Sequence, residues 1–578
     1  MKTIFSYASA YRKAVTIALI LMVVELIVEL VQPIIMAVII DEGIMKRDFG
    51  TIVLWGGVLL GLTILAFAAG IINSFYASEA SQGAGFDLRK DLFEKAQAFS
   101  AQQIERFASS SLITRMTNDV TQVQAFIFMS LRIMLRAPLF IIGGLIMAFT
   151  VHVELALILL ATVPFLLIFM LWLMTKGVQL FRQVQIKIDK INSIIQENLL
   201  GMRLIKSFDR GDHEGARFQT ENNSLMDKNK KALQVMEATM PVMMLGMNLG
   251  IIAILAFGAV ELDNGTAQAG EVVAIINYAT RMLGSFGVFS FLLMNFSRGR
   301  ASADRISEVL SAQASEPVGV QQGNDMKIRG KIEFNQVTFH YPGVNQPALK
   351  DVSFIAGEGS VVGIIGETGS GKTSLVQLLL RLYDPTSGAI LLDGRNIKEM
   401  DLNSLRAQIG LATQEAHIFT GSIKENLLWG NRKASTEDIM DAAKDACIHD
   451  FIMSLPEKYE TIVGQRGINL SGGQKQRLSL ARVLVKNPKI LIMDDSTSAL
   501  DAKTEANVLR ALEKRDCSML IIAQKMTSVR NADQILLMKN GGLSAAGNHQ
   551  QLMDTSKLYA EMNRSQVKEK ISNVSQHQ

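Results

Sequence analysis

"LSGGQKQRLSLARVL", residues 470–484, sets a serine and two glycines ahead of a helix-forming run. Small residues at that place leave the backbone N–H groups of Ser471, Gly472 and Gly473 open at a helix N-terminus, which attracts anions. The stretch lies just upstream of "ILIMDDSTSALD", residues 490–501, where four apolar residues read as a buried strand ending in Asp494 and Asp495. An aspartate at the C-terminal end of such a strand can hold Mg²⁺ beside a nucleotide phosphate, provided a glycine-rich phosphate loop lies elsewhere in the chain.

That loop is "GETGSGKT", residues 366–373, directly after the apolar strand "SVVGIIG". It fits G-x-x-x-x-G-K-[ST], in which glycines let backbone N–H groups close around phosphates. Gly366, Glu367, Thr368, Gly369, Ser370 and Gly371 form the loop, and Ser374 follows in the same nucleotide-binding stretch. Lys372 is placed to reach the β- and γ-phosphates and the Thr373 hydroxyl to ligate Mg²⁺. One chain does not need two γ-phosphate sites. The pattern makes sense if two such domains sandwich nucleotide, each lending Ser471, Gly472, Gly473 and Gln474 to the other's phosphate loop.

With 578 residues, several domains are expected. The apolar share of 49% is uneven: long apolar runs fill residues 14–297, and the sequence after about 330 reads as ordinary soluble α/β protein. A net charge of +4 gives no argument for nucleic acid. The two cysteines, Cys447 and Cys517, allow no disulfide framework or CxxC metal site.

Six stretches have about the 20 residues a spanning helix needs, at about 14–40, 51–76, 125–150, 154–176, 235–261 and 271–297. The first is too long for a signal-peptide core and is read as retained. Five Lys and Arg residues lie in 77–124 and eleven in 176–231, whereas the short opposite loops hold only Lys46 and Arg47. The positive-inside rule therefore puts the long segments and both termini in the cytoplasm. Those segments are charged, helix-favouring and poor in proline, which predicts paired stalks with tips near 106–115 and 207–215. The expected fold is thus multi-domain: an all-α transmembrane domain over 1–310, a linker over 311–330, an α/β nucleotide-binding domain with a helical subdomain over 331–566, and a polar tail over 567–578.

Six membrane helices, long stalks, a phosphate loop and LSGGQ together resemble a half-size ATP-binding cassette (ABC) exporter of the type IV, B-family-like kind. That resemblance implies ATP and Mg²⁺ as cofactors. It matches Tyr341 in "FHYPG" to the aromatic that stacks on adenine, and Gln414 in "LATQEAHIF" to the glutamine that contacts Mg²⁺ and senses the γ-phosphate. It also matches Asp494 to the Mg²⁺ aspartate, Asp501 to the loop that crosses the dimer interface, and the stalk tips to coupling helices seated in grooves of the nucleotide domains.

Two positions depart from the family pattern at the hydrolytic step. The catalytic glutamate is replaced by Asp495, shorter by one C–C bond, about 1.5 Å. The histidine that contacts the γ-phosphate is replaced by Gln524, a neutral amide that cannot become a cation. Near the coupling helices Gln465 stands where a glutamate is usual. The pattern resembles the non-consensus subunit of a bacterial heterodimeric multidrug exporter in the cytoplasmic membrane. Its partner, a second half-transporter, would complete one competent ATP site, and the site built on Asp495 and Gln524 would bind ATP and hydrolyse it poorly.

The membrane half bears on substrate. Glu25 and Glu29 stand one turn apart on the first helix, placed either to attract cationic amphiphiles or to pair with an arginine such as Arg281. Asn277, Arg281 and Ser285 form a polar stripe on the last helix, as for a cavity wall. Met240, Met243, Met244 and Met247 suit either a promiscuous pocket or simple packing. Arg132 and Arg136 are assigned no role. The leading expectation is export of hydrophobic or cationic drugs from membrane lipid; export of lipid or peptide, or an ATP-gated channel or regulator, are the alternatives.

Overall fold

A computed structural model describes residues 2–312 and 328–575, so most of the linker expected at 311–330 lies outside the described residues. The chain divides into two compact units, Met1–Gln97 with Ala108–Gln313, and Ala98–Phe107 with Ala314–Gln578.

The first unit is helical because its long apolar runs carry few breakers. Five stretches among its described residues are long and apolar enough to cross a membrane: Arg12–Ile44, Phe49–Gln97, Ser109–Val151, Val153–Leu200 and Gly211–Asp263. The sixth expected span lies inside the helix Ala269–Ser311, which is not one of these five and carries Asn277, Thr280, Arg281 and Ser285 among its apolar residues. A helix of 49 residues such as Phe49–Gln97 is about 73 Å long, more than twice the ~30 Å hydrocarbon core of a bilayer. The surplus is the stalk. Within it Ala77, Ala80, Ser81, Ala84 and Gly85 are buried, and these small side chains let neighbouring helices approach closely. Higher up, Leu26, Phe140, Leu159, Leu166, Met247, Tyr278 and Met282 join five helices of this unit in one apolar core.

The third span is interrupted, which its hydropathy does not reveal. π-helical turns at Arg115–Asp119 and Ser130–Met134 divide it before the helix Arg136–Val151 begins. The stalk ends also differ from their expected places. The segment that belongs to the second unit is Ala98–Phe107 rather than 106–115. Ser100 caps its short helix Ala101–Arg106, Phe99 stacks on Phe107 at 5.4 Å, and Ala101 packs on the second unit's core. The break near 207–215 falls in the first unit, where Asp209 adopts φ 51° between the helices Met202–Ser207 and Gly211–Glu237.

The second unit contains a six-stranded sheet in the spatial order Gly542–Gly547, Gln534–Lys539, Val361–Gly366, Ser518–Ile522, Ile490–Asp494 and Ile409–Ala412. All neighbours are parallel except the first pair. A four-stranded sheet begins with the antiparallel pair Ile332–Phe339 and Leu349–Ala356. The apolar runs work because both faces of the six-stranded sheet are covered. Ile364, Ile490, Ile492 and Ile522 point to a core shared with the smaller sheet, and Ile365, Leu491, Met493 and Ile521 to a helical core on the other face. A parallel sheet of this kind binds ligands beyond the carboxyl ends of its strands. Four adjacent strands end there in Gly366, Ile522, Asp494 and Ala412.

Candidate nucleotide site

Those four strand ends deliver the residues of one cavity of about 300 Å³. It is lined by Tyr341, Thr368, Gly369, Gly371, Lys372, Thr373, Ser374, Gln414, Asp494, Asp495 and Gln524, with Ala348 and Ile522 as apolar wall. Gly366, Glu367 and Ser370 complete the phosphate loop without lining the cavity. The loop needs its glycines: a Cβ on Gly366 would lie 2.3 Å from the Met538 carbonyl oxygen, and Gly371 adopts φ 99° as it starts the helix Lys372–Leu379.

Lys372 Nζ donates to the carbonyls of Gly366 and Glu367 at 2.7 and 2.8 Å. Burial lowers the Lys372 ammonium from its ordinary pKa, against the pull of Asp494 and Asp495. Burial, then the charge of Asp495, push the Asp494 carboxyl up, against Lys372 and the Thr373 hydroxyl. Asp495 is likewise raised by burial, against the Gln524 backbone N–H and Lys525. Two neighbouring carboxyls with raised pKa beside a lysine are poised for a cation and a polyphosphate. Thr373, Asp494 and Gln414 supply hard oxygen donors on one side of the cavity, a set that fits Mg²⁺ shared with phosphate oxygens. Among the described residues no cluster of three or more His, Cys, Asp and Glu could hold a metal alone.

Tyr341 sits at the cavity rim, its hydroxyl bonded to Ser374 Oγ at 2.9 Å and to Gln377 Oε1 at 2.6 Å. The ring is braced edge-on by Phe339 and Tyr383, which leaves it an aromatic platform. Gln414 Nε2 reaches Asp495 Oδ2 at 3.3 Å. Asp495 adopts φ 48°, a left-handed conformation, and its N–H donates to the Ile522 carbonyl.

The LSGGQ residues lie outside this cavity. Ser471 Oγ accepts from Gln474 N, and Gln474 Oε1 accepts from Ser471 N, a capping box on the helix Gly472–Val485. Ser471 and Gly472 are exposed. Asp501 is occupied as a helix cap: its carboxylate accepts from Lys503 N, Thr504 N and Thr504 Oγ1, which holds its pKa below the usual range. Gln476 ties the two motifs together through Ser498 Oγ and Ala499 N. Gln465 is exposed in a short turn before Arg466, which has φ 54°.

In the membrane half the two glutamates pair with arginine: chiefly with Arg136, a residue to which the sequence assigns no role, and in the case of Glu29 also with Arg281. Arg136 Nη1 meets Glu25 Oε1 at 2.6 Å and Nη2 meets Glu29 Oε2 at 2.8 Å. Arg281 bonds Gln32 Oε1 at 2.9 Å and stands 4.0 Å from the Glu29 carboxylate. Glu25 lies against Gly70, where an added Cβ would meet its Oε1 at 3.5 Å, an ordinary contact. Asn277 donates to the Val273 carbonyl of its own helix. The methionine stripe divides: Met243 and Met247 are core, and Met240 and Met244 are exposed. A charge triplet assembled from two helices 100 residues apart left no local signal in the sequence.

The family profile described as "ABC transporter transmembrane region" matches residues 15–286, and that described as "ABC transporter" matches residues 349–498. YfiB, an ABC transporter ATP-binding protein of Bacillus subtilis without a characterised function, is 50% identical over 98% of both chains. YgaD of the same organism, provisionally named a multidrug export ATP-binding/permease protein, is 33% identical over 84% of both. An ATP-dependent lipid A-core flippase of Chromobacterium violaceum is 31% identical over 98% of this chain and 97% of its own. The solved structure of an ATP-bound bacterial Atm1-family ABC exporter superposes with a TM-score of 0.78 over 96% of this chain and 99% of its own, at 24% identity, which bears on the fold. With its helical membrane unit, its phosphate loop at the carboxyl end of an inner strand of a mainly parallel sheet and these relatives, the chain belongs to the ABC transporter family and is an exporter with an ATP-binding domain.

Proposed function

We propose that this chain is one half of a heterodimeric multidrug exporter in a bacterial cytoplasmic membrane, with six spanning helices and both termini in the cytoplasm. The observation that carries the reading is the placement of Asp495 and Gln524 on the same cavity as Lys372, Thr373 and Asp494. Tyr341 would stack on adenine, Lys372 would exchange the Gly366 and Glu367 carbonyls for phosphate oxygens, and Thr373, Asp494 and Gln414 would hold Mg²⁺. Mg²⁺, when bound, neutralises charge on the β- and γ-phosphates.

Asp495 occupies the place of the base that orients the attacking water, but its carboxylate stops about 1.5 Å short of a glutamate's. Misplacement on that scale costs on the order of 10²-fold in rate. The Ser471–Gln474 cap, exposed at Ser471 and Gly472, is free to close over a partner's phosphate loop, where hydrolysis takes place. The carried substrates are hydrophobic or cationic compounds, a reading supported by the multidrug-export name of YgaD and by the presence of the carboxylates Glu25 and Glu29 among the apolar residues of the first span. The flippase relative favours lipid export as the second reading.

The test is ATPase activity of the chain purified alone and after co-expression with a second half-transporter of the same organism that carries the glutamate and histidine absent here. Activity restored only by co-expression supports the reading, and robust turnover by the lone chain overturns it. Drug-stimulated against lipid-stimulated ATPase separates the two substrate classes.

A further inference from the structure

We propose that Gln566, on the C-terminal helix Lys557–Ser575, is a positioning residue that fixes the backbone carrying Gln524 and thereby sets how strongly this site distinguishes ATP from ADP. The inference rests on the reading that Gln524 faces the γ-phosphate. One amide spans the loop: Gln566 Nε2 donates to the Gln524 carbonyl at 2.8 Å, and Gln566 Oε1 accepts from the Met526 N–H at 2.8 Å.

The loop needs outside help at those two atoms. Gln524 and Lys525 leave the strand Ser518–Ile522 and lead into a single helical turn, Met526–Val529, whose N-cap Lys525 makes no side-chain cap bond. The Met526 N–H is therefore an orphan donor of that turn, and the Gln566 amide satisfies it. At the far end Ser528 Oγ donates to buried Glu505 at 2.6 Å, and Glu505 also accepts from Thr497 Oγ1. At the end that carries Gln524, Gln566 adds two bonds to those that the Gln524 N–H makes with the Asp495 carboxyl and Lys525 Nζ makes with the Ser498 carbonyl.

The clamp is mounted on a rigid base. Tyr559, one helical stretch earlier, is fully buried and bonds His549 at 2.8 Å, and Met562 packs on the same core. Gln566 itself is half-buried, whereas the Gln524 side chain is exposed toward the cavity. Holding the backbone at Gln524 itself and at Met526 restricts where that side chain can point. An ATP-selective contact depends on such aim, because ADP has no γ-phosphate for Gln524 to touch.

The experiment measures equilibrium binding of ATP and of ADP, each with Mg²⁺, to the full-length chain in detergent or lipid discs. Gln566→Met keeps the length and removes both bonds. Gln566→Glu keeps an acceptor for Met526 N–H but cannot donate to the Gln524 carbonyl, and it guards against misfolding of the first variant. Both are expected to lower the ATP-to-ADP affinity ratio roughly two- to tenfold, the range of one or two hydrogen bonds, with ADP affinity unchanged. Gln524→Ala should lower the ratio similarly, and adding Gln566→Met to it should lower it no further. If Gln524→Ala lowers the ratio and the Gln566 variants do not, or if they weaken ATP and ADP equally, the positioning role is overturned. If Gln524→Ala itself leaves the ratio unchanged, the γ-phosphate reading beneath it falls.

Discussion

The Gln414 side-chain amide donates to Asp495 Oδ2 across 3.3 Å, joining the ends of two adjacent strands at the candidate nucleotide site. The bond matters because burial holds Asp495 above its ordinary pKa. A raised folded-state pKa means that ionised Asp495 destabilises the fold relative to the unfolded chain. The stabilising contribution of its protonated form is present below the unfolded value and is lost as pH rises through the folded one. Asp495→Asn should therefore raise the melting temperature of the nucleotide-free chain near neutral pH, and the gain should shrink as pH falls toward the ordinary carboxylate range. Asparagine also tolerates the left-handed backbone at φ 48° and still accepts from Gln414. A gain that grows on acidification would contradict the assigned shift.

Arg136 bridges Glu25 and Glu29 within the membrane-spanning part of the chain, and Arg281 supplies the second positive charge beside Glu29. Removal of the bridge by Arg136→Met leaves the two carboxylates with Arg281 alone, which should lower stability by on the order of 1–3 kcal/mol, below the figure for a fully buried pair because the groups are partly exposed. Glu25→Gln and Glu29→Gln added to Arg136→Met should recover most of the loss. Thermal unfolding of the full chain in lipid discs reads both effects. A single Arg136→Met variant as stable as the native chain would show that the pairing carries no stability.

Sequence and structure agreed best where one local pattern carries the chemistry. The phosphate loop, the strand ending at Asp494 and the LSGGQ cap each depend on a few consecutive residues, so their types were legible. The stalks were legible as helical stretches but not in their breaks: nothing in the hydropathy of 109–151 marks the π-helical turns, and the segment belonging to the second unit begins at Ala98. Contacts distant in sequence were not legible at all. Arg136 finds Glu25 and Glu29 across more than 100 residues, and Gln566 finds Gln524 across 42. Asp501, matched to the loop at the dimer interface, also has a local job that its sequence SALD-A-K-T makes legible, as its carboxylate caps its own helix.

Glu25 and Glu29 also give the substrate class a direct check. With both changed to glutamine, Arg136 stays behind as an uncompensated positive charge on the same wall. Transport of cationic dyes should fall more than transport of neutral dyes of similar size, with ATP binding unchanged. Dye efflux from inverted vesicles or intact cells measures the ratio. An equal fall for both classes would reduce the glutamates to structural counter-ions of Arg136.

Asp495 and Gln524 make the last prediction, that this site holds ATP rather than turning it over. Stacking by Tyr341, phosphate contacts from Lys372 and metal donors from Thr373, Gln414 and Asp494 all line the cavity, and none of them requires a catalytic base. Asp495→Glu with Gln524→His extends the carboxylate by about 1.5 Å and restores a side chain that can carry positive charge to the γ-phosphate. The measurement is ATP hydrolysis by a heterodimer whose partner's catalytic glutamate has been replaced by glutamine, so that turnover at the other site is suppressed. The repaired site should hydrolyse faster than the native one by on the order of 10-fold to 10²-fold, the scale expected when a misplaced group regains its geometry. Nucleotide trapped at the unrepaired site should remain ATP over many cycles of the competent one, keeping the two halves from separating fully at each turnover. If the unrepaired site already hydrolyses at the competent site's rate, Asp495 suffices as the base, and retention of ATP here has no chemical cause.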